Sequence, residues 1–461
     1  MSEPTPSNDT IRAAVAAQLP RLTEELIALA RIPSIAAEGF PPEPLHEAHD
    51  RVVALLHDAG VPEVGDLPVE GTVAPVILAR VPGPEGAPTV LIYGHYDVVP
   101  PGDLSLWRYP PFEPYEADGA VHGRGASDCK SNIVAIAAAL RALDGRPPVG
   151  LTLVLEGHEE FGSPFDHYPP SNPDVFACDA MIIADMGSVR PGVPTLTVAL
   201  RGSVDVAVEV RTLAGDKHSG QFGGAAPDAR LALVHVLASL HDVNGDVVVE
   251  GLTRTPWTGA TYTDDEFRDL AEVLPGQPLL GTGSIGERIW SGPAITVTSF
   301  DAPPSASPIN AVASSARATL NLRVHPEQDA VEARAALVGH LERQRPFGIE
   351  VTVTPGEAGN GVAVPMGGPG VATALAALES AWGSEPVLMA AGGSVPIVMS
   401  LHEAVPRADL LLLGAEDGFS NIHAPNERVL LDEVERTAVA IAVFLRDFAS
   451  GGGSPLLPSG A

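Results

Sequence analysis

The sequence predicts an α/β protein with a mixed, mostly parallel sheet and flanking helices, interrupted by an inserted α+β domain of the ferredoxin-like type. Short apolar runs predict the sheet, because they are continuous rather than alternating, as is typical of parallel strands that helices cover on both faces. These runs are Thr89–Tyr93, Leu151–Leu155, Ala180–Ala184 and Asp409–Leu413. The last run comes far later in the chain than the third, which indicates that a second domain is inserted between them.

Helices are predicted where apolar residues recur with helical spacing. In the N-terminal part, Ile11–Ala30 is predicted as one amphipathic helix and His49–Ala59 as another. Ser131–Leu143 is predicted as a helix between the first two strands of the sheet. Parallel strands need such a crossover connection, so this helix agrees with the α/β assignment.

The inserted domain has a different pattern. Val204–Val210 alternates apolar and polar residues strictly, as a half-buried antiparallel strand does. The further predicted elements are a helix at Pro227–Leu240, strands at Ala294–Phe300 and Ala316–Val324, a helix at Glu327–Gln344, a strand at Ile349–Thr354 and an irregular insertion at Gly245–Gly292. The resulting order β-α-β-β-α-β is that of the ferredoxin-like split unit.

These patterns divide the 461 residues into two domains and a tail. Residues 1–200 and 361–450 are predicted to form the first domain, and residues 201–360 the inserted one. Residues 451–461 are rich in Gly, Pro and Ser, which predicts a disordered tail.

Composition argues against several classes of partner and location. The formal net charge of −31 disfavours nucleic acid and anionic membranes, since both need a basic protein face. No apolar stretch approaches the ~20 residues of a membrane span, and the polar N-terminus lacks the apolar core of a signal peptide. The two cysteines, Cys129 and Cys178, make no disulfide framework, so we expect a reducing, cytoplasmic location.

Acidic and imidazole residues follow each predicted strand of the first domain. They are His95 and Asp97 after the first strand, Asp128 before the next helix, Glu159 and Glu160 after the second strand, Asp185 after the third and His423 in the loop after the fourth. In open α/β sheets the site lies beyond the carboxyl ends of the strands, so we expect these side chains to meet. On its own, the pair His95 and Asp97 fits a histidine satisfied by a neighbouring carboxylate as well as it fits a metal ligand.

The clustered carboxylates indicate a cation, because they cannot all stay ionised close together without one. Two imidazoles and several carboxylates suit Zn²⁺ or a similar divalent ion. Two ions bridged by a carboxylate would activate water and polarise a carbonyl, and a glutamate not bound to metal would take the water's proton. The residues thus predict a hydrolase with one or two metal ions, and they leave its substrate open. A non-catalytic metal-binding or interaction protein is an alternative, whereas the absence of a phosphate-cradling Gly-rich loop disfavours phosphate esters as substrates.

Several stretches occur in the order typical of one enzyme family. They are Gly94–Pro100, Trp107, Pro111-Phe112, Gly123–Lys130, Glu156–Ser163, Asp185, Leu200-Arg201-Gly202, His218–Gly224, Asn310, Arg323, Gly392–Pro396 and His423–Glu427. In these stretches the chain resembles the M20 metallopeptidases, which include carnosine dipeptidases, carboxypeptidases and acyl-amino-acid deacylases. The segments His218–Gly224 and Ile289–Pro293 are most similar to the dipeptidase branch.

The resemblance implies a role for each residue of the cluster. The expected ligands are His95, Asp128 and Asp185 for one ion and Asp128, Glu160 and His423 for the other. Asp97 is expected to hold the other nitrogen of the histidine in the first set, and Glu159 to be the general base. His158 is expected not to bind metal, and Zn²⁺ is the expected ion, with Mn²⁺ or Co²⁺ as alternatives.

The resemblance also implies that the inserted domain is a lid and dimerisation domain that binds substrate. His218 is expected to reach the active site of the other subunit in a homodimer and to stabilise the tetrahedral oxyanion. Asn310 is expected to help bind the substrate, and Arg323, with the backbone of Gly393 and Ser394, to bind its terminal carboxylate. The alternatives are an exposed loop histidine and a plain exposed arginine.

Two departures from the family pattern bear on the site and the substrate. The family commonly has Asp-Asp-Lys-Gly where this chain has Asp128-Cys129-Lys130-Ser131, and the peptide bond after the first aspartate is often cis in relatives. No histidine occurs between His340 and His402, where some dipeptidases carry one that binds substrate, which argues against a carnosine-like preference. The predicted function is amide hydrolysis in dipeptides or small peptides, with an N-acyl amino acid deacylase or a carboxypeptidase as the alternative.

Overall fold

The structure is a computed structural model that describes residues 5–393 and 395–451. Ser394 and all but the first residue of the predicted tail lie outside the described residues. The described residues form two compact units: the first comprises residues 5–198, 364–389 and 396–451, and the second comprises Ala199–Ala363, residues 390–393 and Val395. The short segment Ala390–Val395 joins the second unit, where the backbone N–H of Arg201 donates to the carbonyl of Ala391 at 3.3 Å.

The first part of the chain alternates helices and strands. In chain order these are α1 (Asn8–Ala16), α2 (Leu19–Ala30), α3 (Glu43–Asp58), β1 (Glu63–Leu67), β2 (Val76–Val81), β3 (Thr89–His95), β4 (Tyr115–Ala117), β5 (Ala120–His122), α4 (Lys130–Ala142), β6 (Gly150–Glu156), α5 (Tyr168–Ser171), β7 (Ala180–Ala184), β8 (Gly187–Ser188) and β9 (Thr195–Leu200). Single 3₁₀ turns lie at Leu104–Leu106, Glu159–Phe161, Pro164–His167 and Pro173–Val175.

The remaining elements continue in the same order. They are β10 (Gly202–Arg211), β11 (Lys217–His218), α6 (Ser219–Phe222), α7 (Ala229–Ala238), α8 (Asp264–Leu270), α9 (Ile285–Ile289), β12 (Ala294–Phe300), β13 (Ala311–Val312), β14 (Ser315–Val324), α10 (Ala330–Glu342), a 3₁₀ turn at Pro346–Gly348, β15 (Thr352–Gly359), β16 (Val362–Ala363), α11 (Pro369–Trp382), β17 (Val387–Ala391), α12 (Pro396–Ala404), β18 (Asp409–Leu413), β19 (Glu416–Asp417), β20 (Arg428–Leu430) and α13 (Leu431–Phe448).

The large sheet has a parallel centre with antiparallel strands on both sides. Its order is β1-β2-β6-β3-β7-β18-β9-β16, with β17 also on β9. Pairing is parallel from β6 to β3, β3 to β7 and β7 to β18, which are the four strands that the apolar runs predicted. Their carboxyl ends therefore lie on one edge of the sheet. The strands β1, β2 and β9 pair antiparallel and were not predicted.

Helix α4 forms the centre of the main hydrophobic core. Its residues are buried from Lys130 to Leu140, and α1, α2 and α13 pack against it. The run of alanines at positions 137–139 allows this close approach, because the side chains are small. The helix begins directly after the loop that carries Asp128, so the packed core holds that loop in place.

The predicted single helix at Ile11–Ala30 was wrong. The structure has two helices, α1 and α2, with a break between Ala16 and Leu19. Pro20 lies in the first turn of α2. A proline lacks the N–H for an intrahelical hydrogen bond and clashes with the preceding turn, so it is tolerated there but would break a continuous helix.

The second unit contains an antiparallel sheet in the order β12-β14-β10-β15. Along β10, alternate residues Val204, Val206, Val208 and Val210 are buried against α7 and α10. This order is the one that the β-α-β-β-α-β pattern produces in a ferredoxin-like unit. The insertion predicted to be irregular contains the short helices α8 and α9, and α8 begins with a capping box between Thr263 and Glu266. None of the described helices combines the length and apolar character that crossing a membrane requires.

Candidate functional site

His95 lies at the carboxyl end of β3, with its side chain buried. Its Nε2 atom is 3.0 Å from Oδ1 of Asp128 and 3.3 Å from Oδ1 of Asp185. Asp185 directly follows β7, the parallel neighbour of β3. The parallel pairing of β3 and β7 thus brings His95 and Asp185 together, and the loop before α4 adds Asp128, as the sequence predicted.

His423 approaches the same aspartate from another loop. Its Nε2 atom is 3.0 Å from Oδ2 of Asp128 and 3.0 Å from Oε2 of Glu160. The loop needs left-handed backbone at Asn421, His423 and Asn426, with φ values of 54°, 59° and 64°. Asparagine adopts this conformation more readily than most residues, which explains its use on both sides of the histidine. The two oxygens of Asp128 therefore face two different imidazoles.

Glu427 holds the loop that carries Asp128, a role that the sequence analysis did not assign. Its buried carboxylate accepts backbone N–H groups of Gly125, Ser127 and Asp128 at 3.0, 2.9 and 3.1 Å. It also accepts a hydrogen bond from Nη1 of Arg124 at 2.5 Å. Because Glu427 is four residues after His423, it joins the loops of the two expected metal ligands. Its place in the matched stretch at 423–427 was the only signal for it.

The peptide bond between Asp128 and Cys129 is cis, as the resemblance implied. The Cys129 thiol is buried and donates to the carbonyl of Ala184, the last residue of β7, at 3.2 Å. Burial raises the pKa of Cys129 to about 12, so the thiol stays protonated near neutral pH. Cys129 therefore supports the packing between its loop and β7.

Asp97 connects two parts of the cluster. Its carboxylate accepts the backbone N–H groups of Glu159 and Glu160 at 3.0 and 3.1 Å. His95 Nδ1 lies 3.2 Å from the backbone carbonyl of Asp97 and 3.4 Å from its Oδ1 atom. This leaves Nε2 of His95 pointing at the other carboxylates. Asp97 thus positions the turn after β6 as well as the histidine.

Glu159 and His158 lie side by side after β6 but differ in their surroundings. The structure records no hydrogen bond to the carboxylate of Glu159 within the described residues. Burial raises its pKa well above the ordinary value, opposed by the charge of His95 and reinforced by neighbouring carboxylates. His158 is half-buried, and burial lowers its pKa. It belongs to none of the potential ligand groups in the described part of the chain.

The carboxylates and imidazoles of the cluster change one another's pKa values. Burial, reinforced by Asp128, raises the pKa of Glu160 to about 7. Burial acts to raise the pKa of Asp128 too, but hydrogen bonds from His423 and His95 lower it below the ordinary value. Hydrogen bonds to Asp128 and Glu160 raise the pKa of His423 to about 11. The two carboxylates therefore favour a positive charge at the position of His423.

The donor set fits divalent cations. Groups whose ligand atoms lie within 4.8 Å of one another are His95 with Asp128 and Glu160, His95 with Cys129 and Asp185, and Asp128 with Asp185 and Glu416. Zn²⁺ and related ions bind imidazole nitrogen and carboxylate oxygen. A cation placed among these donors would compensate the carboxylate charges that burial penalises.

The other expected site residues lie in the second unit. His218 is exposed, and its Nδ1 atom accepts the backbone N–H of Gly220 at 3.1 Å. This hydrogen bond places the proton of the neutral ring on Nε2, which is then a donor. The carbonyl of Asn310 accepts the N–H of Ser219 at 3.1 Å, so the structure brings His218 and Asn310 together.

Arg201 is a buried cation that the sequence analysis left without a role. It is 7% exposed, its Nη1 atom has no hydrogen-bond partner among the described residues, and its Nε donates weakly to the carbonyl of Gly392 at 3.4 Å. Burial and the nearby guanidinium of Arg323 lower the pKa of Arg201 to about 10. The structure therefore places two arginines and the segment before Gly393 close together. The stretch Leu200-Arg201-Gly202 was the signal for this residue.

Comparisons with known proteins agree with these observations. A family model described as peptidase family M20/M25/M40 matches residues 91–447. The cysteinylglycine-S-conjugate dipeptidase of Corynebacterium striatum is 38% identical over 367 residues, which cover 78% of this chain and 81% of the relative. The Beta-Ala-His dipeptidase of Homo sapiens is 32% identical over 241 residues, covering 51% of this chain and 45% of the relative. The crystal structure of human carnosine dipeptidase 1 superimposes with a TM-score of 0.81 at 24% identity, over 97% of this chain and all of the other, which establishes the shared fold.

Proposed function

The chain belongs to peptidase family M20/M25/M40 and is a metallopeptidase, and we propose that it hydrolyses dipeptides or small peptides with two metal ions and a glutamate base. The observation that carries this proposal is the position of Asp128. Its two carboxylate oxygens each lie 3.0 Å from a different imidazole, His95 on one side and His423 on the other. A carboxylate in this position is suited to bridge two cations.

Two sets of residues would hold the ions. They are His95, Asp128 and Asp185 on one side and Asp128, Glu160 and His423 on the other. When bound, the ions would lower the pKa of a water molecule and polarise the carbonyl of the scissile amide. We propose Zn²⁺ as the ion, with Mn²⁺ or Co²⁺ as alternatives, because all three ions bind imidazole nitrogen and carboxylate oxygen.

Glu159 is proposed to move the protons of the reaction. It would take a proton from the attacking water and give it to the leaving amine, as a general base and then a general acid. Two observations support this role. Its carboxylate makes no recorded hydrogen bond in the described part of the chain, and burial raises its pKa above the ordinary value, which favours its taking up a proton.

His218 is proposed to stabilise the oxyanion from across a homodimer. The hydrogen bond from Gly220 to Nδ1 supports this role, because it leaves an Nε2–H donor on an exposed ring. A donor aimed at a developing oxyanion is worth about 3 kcal/mol in the transition state. We propose that the inserted unit forms the dimer interface that this arrangement requires.

The second unit is also proposed to bind the substrate's terminal carboxylate. Arg323 and the backbone of Gly393 and Ser394 are the expected groups. We add Arg201, whose buried guanidinium has an Nη1 atom without a hydrogen-bond partner in the described part of the chain. No carboxylate of the described residues pairs with either arginine. Guanidinium groups bind carboxylates through two parallel hydrogen bonds, so a substrate carboxylate would meet both charges. Asn310, beside His218, is proposed to bind the substrate backbone.

The proposed substrates are dipeptides with a free C-terminal carboxylate. The Corynebacterium striatum relative is named for cleavage of cysteinylglycine conjugates. The absence of a histidine between His340 and His402 disfavours a carnosine-like preference. An N-acyl amino acid deacylase or a carboxypeptidase is the alternative within the family.

A substrate library tests the proposal. The purified chain, reconstituted separately with Zn²⁺, Mn²⁺ and Co²⁺, is incubated with dipeptides and N-acyl amino acids, and products are read by mass spectrometry. We expect dipeptide cleavage, and Glu159→Gln should reduce kcat by a factor of about 10²–10⁴. Glu85→Gln, an exposed loop glutamate, is the matched control and should retain activity. Full activity of metal-loaded Glu159→Gln would refute the base assignment, and cleavage of N-acyl amino acids alone would favour the deacylase.

A further inference from the structure

Glu416 is a buried carboxyl group next to the proposed metal centre that the expected ligand sets do not include. It is the first residue of β19, which pairs in parallel with β8 so that Glu416 lies opposite Gly187. Gly187 is two residues after Asp185 in the chain. A Cβ atom added to Gly187 would lie 2.5 Å from the Cβ of Glu416, so a glycine is needed for this approach. The strand pairing therefore holds Glu416 in close contact with the segment that follows Asp185.

The side chain of Glu416 points into the carboxylate cluster. Glu416 is 7% exposed, and its Oε1 atom has no hydrogen-bond partner among the described residues. One oxygen each of Asp128, Asp185 and Glu416 lie within 4.8 Å of one another. The neighbours of the Glu416 carboxylate thus include two carboxylates, which accept hydrogen bonds and do not donate them.

Two other buried carboxylates of this unit have donors for both of their oxygens, whereas Oε2 of the buried Glu156 has no partner among the described residues. Glu433 is 1% exposed and accepts hydrogen bonds from Gly192 N–H, Trp382 Nε1 and Arg436 Nη1 at 2.8, 3.2 and 3.0 Å. Asp417, the residue after Glu416, accepts hydrogen bonds from both terminal nitrogens of Arg428. Within the described ranges, no donor of this kind reaches Oε1 of Glu416. Burying a carboxylate without a donor or a cation is costly, and two neighbouring carboxylates increase that cost.

We propose that Glu416 is a further metal ligand, and that its carboxylate binds the cation held by His95, Asp128 and Asp185. This proposal rests on the proposed metal centre and goes beyond the five expected ligands. It makes the two ion sites unequal, with one imidazole and three carboxylates on the His95 side, and one imidazole and two carboxylates on the other. Oxygen donors favour Mn²⁺ more than nitrogen donors do, so the His95 side should bind Mn²⁺ relatively better than the His423 side.

Metal binding to Glu416→Gln tests the proposal without relying on activity. Binding of Mn²⁺ and of Zn²⁺ to the metal-free full chain is measured by isothermal titration calorimetry. We expect one of the two ions to lose affinity by about 10–100-fold, more for Mn²⁺ than for Zn²⁺, while the other ion binds as in the wild type. Glu433→Gln, which replaces an equally buried glutamate away from the cluster, is the matched control and should bind both ions normally. Unchanged affinity of both ions in Glu416→Gln would overturn the proposal.

A second measurement covers the case in which Glu416→Gln does not fold. Anomalous diffraction from wild-type crystals soaked in Mn²⁺ locates the ions directly. We expect an oxygen of Glu416 about 2.0–2.2 Å from the ion on the His95 side, a distance typical of a carboxylate ligand. An ion there with Glu416 turned away, or hydrogen-bonded to Asp185 as a protonated acid, would overturn it. Failure of the wild type to cleave dipeptides while binding both ions would contradict the proposed function alone.

Discussion

Glu427 accepts a hydrogen bond from the backbone N–H of Asp128 at 3.1 Å, across 299 residues of sequence. The same carboxylate accepts two further N–H groups of the loop and pairs with Arg124. The two loops that this interaction joins each carry an expected metal ligand. One is Asp128 itself, and the other is His423, four residues before Glu427. One buried glutamate thus sets the relative position of the proposed bridging carboxylate and the second histidine.

Replacing Glu427 is therefore expected to reduce both stability and metal binding. Glu427→Gln removes the negative charge opposite the buried Arg124 and substitutes an NH₂ group for one acceptor oxygen. Breaking a buried charge pair in this way costs about 3–5 kcal/mol, which urea unfolding of the metal-free protein would measure. Glu85→Gln provides the exposed control. A Glu427→Gln protein as stable as the wild type would show that the loop does not depend on this carboxylate.

Because Asp128 lies between the two histidines, we expect its replacement to weaken the binding of more ions than the replacement of Asp185 does. Asp128→Asn should weaken the binding of both ions, since each oxygen faces a different imidazole. Asp185→Asn should weaken chiefly the ion on the His95 side, because Asp185 approaches only that histidine. Metal content after dialysis, measured by plasma mass spectrometry, distinguishes the two results. Asp174→Asn, an exposed aspartate of the same unit, is the control, and equal losses for both ligand variants would contradict the bridge.

The two neighbouring arginines of the second unit, Arg201 and Arg323, predict a preference for substrates with a free C-terminal carboxylate. Arg201→Met and Arg323→Met should each raise KM for a dipeptide about tenfold or more, because a hydrogen bond to a charged group contributes about 1.5–3 kcal/mol. The same variants should have little effect on a substrate whose C-terminus is amidated, since it presents no carboxylate. Arg317→Met, an exposed arginine on the same strand as Arg323, is the matched control. Equal KM changes for both substrates would rule out carboxylate binding.

The proposed role of His218 in the partner's site predicts complementation between inactive variants. His218→Ala and Glu159→Gln should each be nearly inactive as homodimers. A mixed dimer should recover one active site, because the protomer with Glu159 would receive His218 of the partner subunit. Activity is followed while the two proteins are mixed and exchange subunits. No recovery in a verified mixed dimer would show that His218 acts within its own chain or not at all.

Glu156 predicts a pH dependence of stability. It is buried beneath the site, and Tyr93 donates a hydrogen bond to its Oε1 atom at 2.5 Å. Burial raises the pKa of Glu156 from 4.5 to about 8. The folded state therefore binds a proton that the unfolded state releases between these values, so this group stabilises the fold below pH 4.5 and loses that contribution as the pH rises to about 8.

Glu156→Gln should remove this dependence, because glutamine resembles the protonated acid and still accepts from Tyr93. Unfolding free energies of the metal-free wild type and variant are compared by urea titration from pH 5 to 8. We expect the variant to gain stability relative to the wild type as the pH rises. A difference that does not change with pH would mean that Glu156 is ionised in the fold.

The sequence predicted which site residues lie at the ends of strands, because the apolar runs that mark these strands are followed by residues that can bind metal. His95 and Asp185 each follow a continuous apolar run, and parallel strands place such residues at one edge of a sheet. Glu416 also follows such a run, three residues after Leu413, but strand periodicity does not show that its side chain enters the cluster. The break before Pro20 was missed because amphipathic spacing continues through it, although the proline was visible in the sequence.

The sequence by itself determined the residue types of the site, the four parallel strands and the family. These depend on local patterns and on motifs in a definite order, which a linear chain displays. Only the tertiary structure decided which oxygen of Asp128 faces which histidine, that Glu427 joins the two loops, and that Glu416 enters the cluster without a donor. Those relationships join residues far apart in the chain, and their geometry follows from strand register and core packing, which no local pattern encodes.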